Sequence, residues 1–178
     1  MSKLKVVGRY LRENFYDEKF SLNKKKYILQ CLAATMVVYF VLTTLSVLSN
    51  YLVIASIAST SFVIFAGPHS ELAKARYVLG GYFVGILMGV VCYYTMICFI
   101  QWLPDLAAHL DEVFAALAVG SSLFLMVILD FEHPPACAAS LALIINDWNG
   151  RTIFITFFAL TILVVSRYLL RKYLIQLI

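Results

Sequence analysis

Charge is scarce in this chain. Of 178 residues, only 13% are Asp, Glu, Lys or Arg, 62% are hydrophobic, and the mean hydropathy is +0.88. A soluble domain carries about a quarter of its residues as charges, so that class is excluded and the chain reads as an integral membrane protein. Residues 27–70 hold no charged side chain across 44 positions, room for two helices of about 20 residues and too much for one. A second uncharged run covers 77–104. Further apolar stretches lie at 113–129, 136–146 and 152–166, the last continuing through Tyr168 and Leu170. The expected fold is all-α, a polytopic transmembrane bundle of about six segments with the fifth one short.

Other scarcities narrow the reading. The four cysteines, Cys31, Cys92, Cys98 and Cys137, form no CxxC pair and have no histidine at ligand spacing, so they read as small buried hydrophobes rather than metal or disulfide partners. No cofactor is implied. The first 26 residues lack an apolar core followed by a small-residue cleavage site, which argues against a secretory signal. Leu4, Val7, Leu11 and Phe15 instead recur at helical spacing opposite Lys3, Lys5, Arg9 and Arg12, the pattern of a basic helix lying on an anionic membrane face. Residues 1–26 are therefore expected to form a cytoplasmic amphipathic segment ahead of a transmembrane domain at 27–178. The net charge of +4 gathers near the ends rather than in a stripe, so the expected partner is the lipid bilayer and not nucleic acid.

The basic residues also orient the chain. With six spans, the N-terminal segment carries eight Lys or Arg, the second loop Lys74 and Arg76, and the C-terminus Arg167, Arg171 and Lys172, while the opposite side receives only Arg151. By the positive-inside rule both termini are cytoplasmic, as in a bacterial inner membrane, and the acidic connection 105–112 faces outward. A re-entrant fifth segment would reverse the last span and weaken this asymmetry.

What the chain does contain at its segment boundaries is more specific. Asp130-Phe131-Glu132-His133-Pro134-Pro135 places charge and two prolines between apolar stretches. Prolines suit the first turn of a helix, so a helix is expected to start at Pro134, its N–H groups and positive dipole end beside His133, an arrangement that attracts anions. Gly67-Pro68-His69-Ser70 forms a similar break, with Ser70 expected as an N-cap. Each break follows a patch of small polar residues and an apolar helix, so two parallel hairpins around a shared site are one reading and chance similarity the other. His69 and His133 are candidate anion-binding residues with Pro68, Ser70, Pro134 and Pro135. An imidazole titrating near neutral pH could add charge or carry a proton. Asp130 and Glu132 would repel an anion and suit proton coupling better. The alternative for each histidine is a loop residue that caps a helix.

Gly80, Gly81, Gly85 and Gly89 lie on one stretch at a spacing that lets helix backbones approach closely. The face of Ala136, Ala139 and Ser140 is the expected partner, and contact between protomers of a homo-oligomer is the alternative. Ser56, Ser59, Thr60, Ser121 and Ser122 could line a polar path or bond their own helix carbonyls. Trp102, Trp148, Tyr51, Tyr77 and Tyr168 fall near span ends, as an interfacial belt would place them.

The stretches 62–89 (FVIFAGPHSELAKARYVLGGYFVGILMG) and 130–145 (DFEHPPACAASLALII) resemble the HPP family of integral membrane proteins, with the His-Pro-Pro tripeptide at 133–135. The match extends from about Lys24 onward. Ala136-Cys137-Ala138 stands where the family often has Ala-Gly-Ala. The resemblance implies a small membrane protein, in some relatives implicated in nitrite transport, and no enzymatic activity. The expected function is a transporter or channel for a small inorganic anion, with nitrite the substrate this resemblance points to. A haem- or metal-binding redox protein and a structural subunit are the alternatives.

Overall fold

A computed structural model describes residues 18–45, 51–102 and 107–177 of the chain. Of the amphipathic segment expected over residues 1–26, residues 1–17 lie outside them. Six α-helices follow in order: α1 (Glu18–Leu45), α2 (Tyr51–Ala66), α3 (Ala75–Trp102), α4 (Ala107–Leu129), α5 (Pro134–Ile145) and α6 (Gly150–Leu170), with a 3-10 turn at Glu71–Ala73 before α3. Within residues 18–26 of that segment the helix kinks at Asn23 (φ −128°, ψ 28°).

Among the described residues four helices, over Asn23–Thr43, Ala75–Trp102, Leu110–Leu129 and Gly150–Leu170, are long and apolar enough to cross a membrane. Two are shorter. The 12 residues of α5 span about 18 Å, as the sequence led us to expect, but the 16 residues of α2 reach only about 24 Å, against a hydrocarbon core of about 30 Å. The uncharged run 27–70 hid that shortness, because α1 takes most of the apolar residues and absorbs the lysines before them.

Prolines and caps set the helix boundaries. Pro134 and Pro135 occupy the first two positions of α5. Asn149 opens α6 with a reciprocal box, its Oδ1 accepting from Thr152 N (3.1 Å) while its own N–H donates to Thr152 Oγ1 (3.3 Å). Such a pair satisfies amides that have no partner within the helix.

Contacts at one end of the bundle fix the direction of every helix. Near the start of α1, Gln30 donates to Phe65 O at the end of α2 (2.5 Å) and exchanges hydrogen bonds with Ile175 in the C-terminal tail (2.9 Å each way). Arg167, near the end of α6, donates to Pro68 O from Nε (3.0 Å) and Nη2 (2.5 Å), and Leu177 N donates to Ala66 O (2.9 Å). The second break, 130–133, packs on the first turns of α3 at Gly80 and Gly81. The helices therefore alternate in direction, and both breaks lie at the end that holds the start of α1 and the C-terminal tail. Lys24, Lys25, Lys26, Lys74, Arg76, Arg171 and Lys172 gather there, and Arg151 opens α6 at the other end. From this end α5 runs away and α6 returns to it. The turn between them reaches only the level of Tyr93 and Tyr94, on which Trp148 stacks edge-on at ring-centroid separations of 5.3 and 6.3 Å.

With the native cysteines replaced, single cysteines at positions 26 and 172 are expected to label from the same side of a sealed vesicle and one at position 151 from the other. Labelling of all three from one side would contradict the alternation.

Candidate functional site

The second break is fastened before it reaches the core. Asp130 has φ 56°, a left-handed conformation that Asp tolerates better than most residues, and Phe131 N reaches back to Met126 O (2.9 Å) to close α4. The Asp130 carboxylate pairs with Arg76 Nη2 (3.0 Å) and accepts from Tyr77 OH (3.2 Å). The Arg76 guanidinium lies 5.4 Å from the centre of the Phe131 ring, and that ring covers Gly80. Asp130 is thus exposed and ion-paired, and Glu132 is exposed.

Below that clasp the chain turns inward at His133, which is fully buried. Its Cβ sits where a side chain on Gly81 would have to be, 2.6 Å from that position. From α2 and α3 come three further buried polar side chains, Ser56, Thr60 and Tyr82. His133 Nε2 lies 3.0 Å from Thr60 Oγ1, Thr60 Oγ1 lies 2.9 Å from Tyr82 OH, and Tyr82 OH donates to Ser56 Oγ (3.0 Å).

Counting protons assigns the tautomer. The Ser56 hydroxyl donates to Val53 O (2.8 Å) and the Tyr82 hydroxyl to Ser56 Oγ, so the Thr60–Tyr82 contact takes its proton from Thr60, whose hydroxyl also reaches Ser56 O (3.0 Å), and the Thr60–His133 contact takes its proton from Nε2. Nδ1 then carries a lone pair and, among the described residues, makes no hydrogen bond of good geometry, although the Leu72 backbone lies near enough to favour a protonated ring. Burial holds the imidazole below its ordinary pKa by disfavouring the charged form, and the Leu72 backbone acts more weakly in the opposite direction. Where the sequence leads to a histidine facing a vestibule, the structure encloses it, and that burial disfavours its charged form.

A cleft of about 390 Å³ between α2 and α5 meets this cluster at Ser56, with Ser59 on the same side, Pro134 and Pro135 on the other, and Leu72 among its lining residues. The start of α5 offers this cleft fewer donors than expected. Pro134 and Pro135 have no N–H, and Ala136 N is bonded to His133 O (2.9 Å). The prolines that start the helix also remove the amides an anion would have used.

The first break is engaged differently. Ser70 stands at the N-cap position of the 3-10 turn, but its hydroxyl makes no cap bond and donates back to Gly67 O (2.8 Å). The Pro68 carbonyl accepts from Arg167. The His69 side chain is exposed, with its backbone N–H on Gln176 Oε1 (3.2 Å). The breaks share one end of the bundle, yet His69 does not join the cluster around His133.

The glycines of α3 face α5 along its length. A Cβ on Gly85 would lie 2.5 Å from Ala136 O, and one on Gly89 3.0 Å from Ser140 O. Ser121 and Ser122 donate to carbonyls of their own helix (2.6 Å each to Leu117 O and Ala118 O). The four cysteines are free. Among the described residues no three His, Cys, Asp or Glu side chains come together.

Tyr82 completes this cluster and Gln30 fastens the first break, neither singled out by the sequence patterns, and Arg167, an orientation signal in the sequence, joins the first break at Pro68. Tyr82 follows Gly81 and lies three positions before Gly85, so it shares their buried face. Gln30 and Arg167 are polar residues within apolar stretches, a signal that marks paired or functional positions in membrane helices.

A family model described as HPP, transmembrane region, matches residues 20–174 of the chain. No curated protein and no solved structure matches it.

Proposed function

The chain belongs to the HPP family of integral membrane proteins, and from that premise we propose that it transports a small inorganic anion through the buried cluster of His133, Thr60, Tyr82 and Ser56. The observation that carries this reading is the fully buried imidazole whose Nδ1 makes no hydrogen bond among the described residues. Buried polar atoms are almost always hydrogen-bonded, so an orphaned ring nitrogen beside a cleft is a place for a proton and a ligand that arrive together. The positive end of the α5 dipole points at the same place.

Nitrite is the substrate the family resemblance favours. The end of the bundle that gathers the basic residues is assigned to the cytoplasm, in keeping with a bacterial inner membrane. Purified protein in liposomes, tested with nitrite, nitrate, formate, bicarbonate and chloride, is expected to move nitrite faster than protein-free vesicles do. Flux indistinguishable from protein-free vesicles for every anion would reject transport.

A further inference from the structure

We infer that His133 takes up one proton with each anion, so that the buried site is loaded by a neutral proton–anion pair and never by a bare anion. The inference rests on the reading of this cluster as the anion site.

It follows from what surrounds the imidazole. Three hydroxyls, from Ser56 and Thr60 on α2 and Tyr82 on α3, are the polar side chains bonded into the cluster, and none carries a charge. The charged groups on the neighbouring elements are engaged or turned outward. Arg76 pairs with Asp130, Lys74 with Glu71, and Glu132 is exposed. Arg167 donates twice to the Pro68 carbonyl. The first three residues of α5 supply no free amide. A bare anion here would be a buried charge without a counter-charge, which costs several kcal/mol, and it would face the lone pair on Nδ1.

A proton from solution resolves both difficulties. It binds Nδ1 and makes the ring cationic, while Nε2–H keeps its bond to Thr60. Nδ1–H then donates to the anion, and on release the proton leaves with it. Because a proton and an anion that bind together must each favour the other's binding, anion affinity falls as protons become scarce. One proton per anion gives a loss of about tenfold for each pH unit above the imidazole's own pKa.

Calorimetric titration of the purified protein with sodium nitrite, in two buffers of different ionisation enthalpy between pH 6 and 8, counts these protons directly. The expected result is one proton taken up per nitrite, and a dissociation constant that rises about tenfold per pH unit. His69→Gln should keep the uptake. His133→Gln, checked for folding by its melting temperature, should lose it. Nitrite bound without proton uptake and with constant affinity would overturn the coupling and leave the site in place. No nitrite bound at any of these pH values would remove the site, and the coupling with it.

Discussion

Gly85→Leu is expected to yield little folded protein, and what is recovered should aggregate on size exclusion. A Cβ at this position would meet the Ala136 carbonyl oxygen at 2.5 Å and its carbon at 3.2 Å. Both atoms belong to backbone, so no side chain can rotate away to make room. Overpacking a buried contact costs about 1–3 kcal/mol, which makes Gly85→Ala damaging and the three further carbons of leucine worse. The short α5 amplifies the effect, because its position against α3 also holds His133 on Gly81. Gly120 provides the contrast, since nothing lies within 4 Å of a Cβ there and alanine favours a helix over glycine by about 1 kcal/mol. Gly120→Ala should therefore match or exceed the wild-type melting temperature. A well-expressed, monodisperse Gly85→Leu protein would show that α3 and α5 do not touch as described.

His133→Ala should abolish anion flux while the protein stays folded. Truncating the ring leaves a cavity, and large-to-small core changes typically cost about 2–5 kcal/mol, but two features reduce the loss here. Thr60 keeps its donor bond to Ser56 O, and the orphaned Nδ1 disappears with the ring. Flux per folded molecule and melting temperature, measured on one preparation, separate transport from a structural role. Unchanged flux in the variant would end the case for His133 as the binding group.

Acid should distinguish the wild type from this variant as well. Burial depresses the folded-state pKa of His133, so the neutral ring contributes its full stability above the unfolded-state value of about 6.5, and that contribution is lost as pH falls below it. The wild-type melting temperature should decline on acidification more steeply than that of His133→Ala.

Some of this architecture is legible in the residues alone. Two adjacent prolines fix the start of α5 to the residue, since only the first turn of a helix accepts both. Four glycines on one stretch of α3 and small residues on α5 announce a close contact, and the structure places Gly81, Gly85 and Gly89 opposite α5, with Gly80 under the Phe131 ring. The consequence of the prolines for anion donors was equally readable, because an absent N–H is a property of the residue type. The meeting of His133 with Thr60 was not. It joins positions 73 apart and depends on how three helices cross, which no local pattern records. The same holds for Arg167, whose partner is a carbonyl 99 residues away and whose charge read from sequence only as an orientation signal.

Gln30 ties α1 to residues that follow α6, 145 positions away. While the polypeptide is being synthesised, residue 175 leaves the ribosome long after α1 and α2 have entered the bilayer. Until then the Gln30 side chain and the Ala66 carbonyl wait for Ile175 and Leu177, so this end of the bundle is locked only once all of the helices from α1 to α6 have been made. An insertion between Lys172 and Leu174 would act on that closing step, whereas one placed between α3 and α4 would leave it alone.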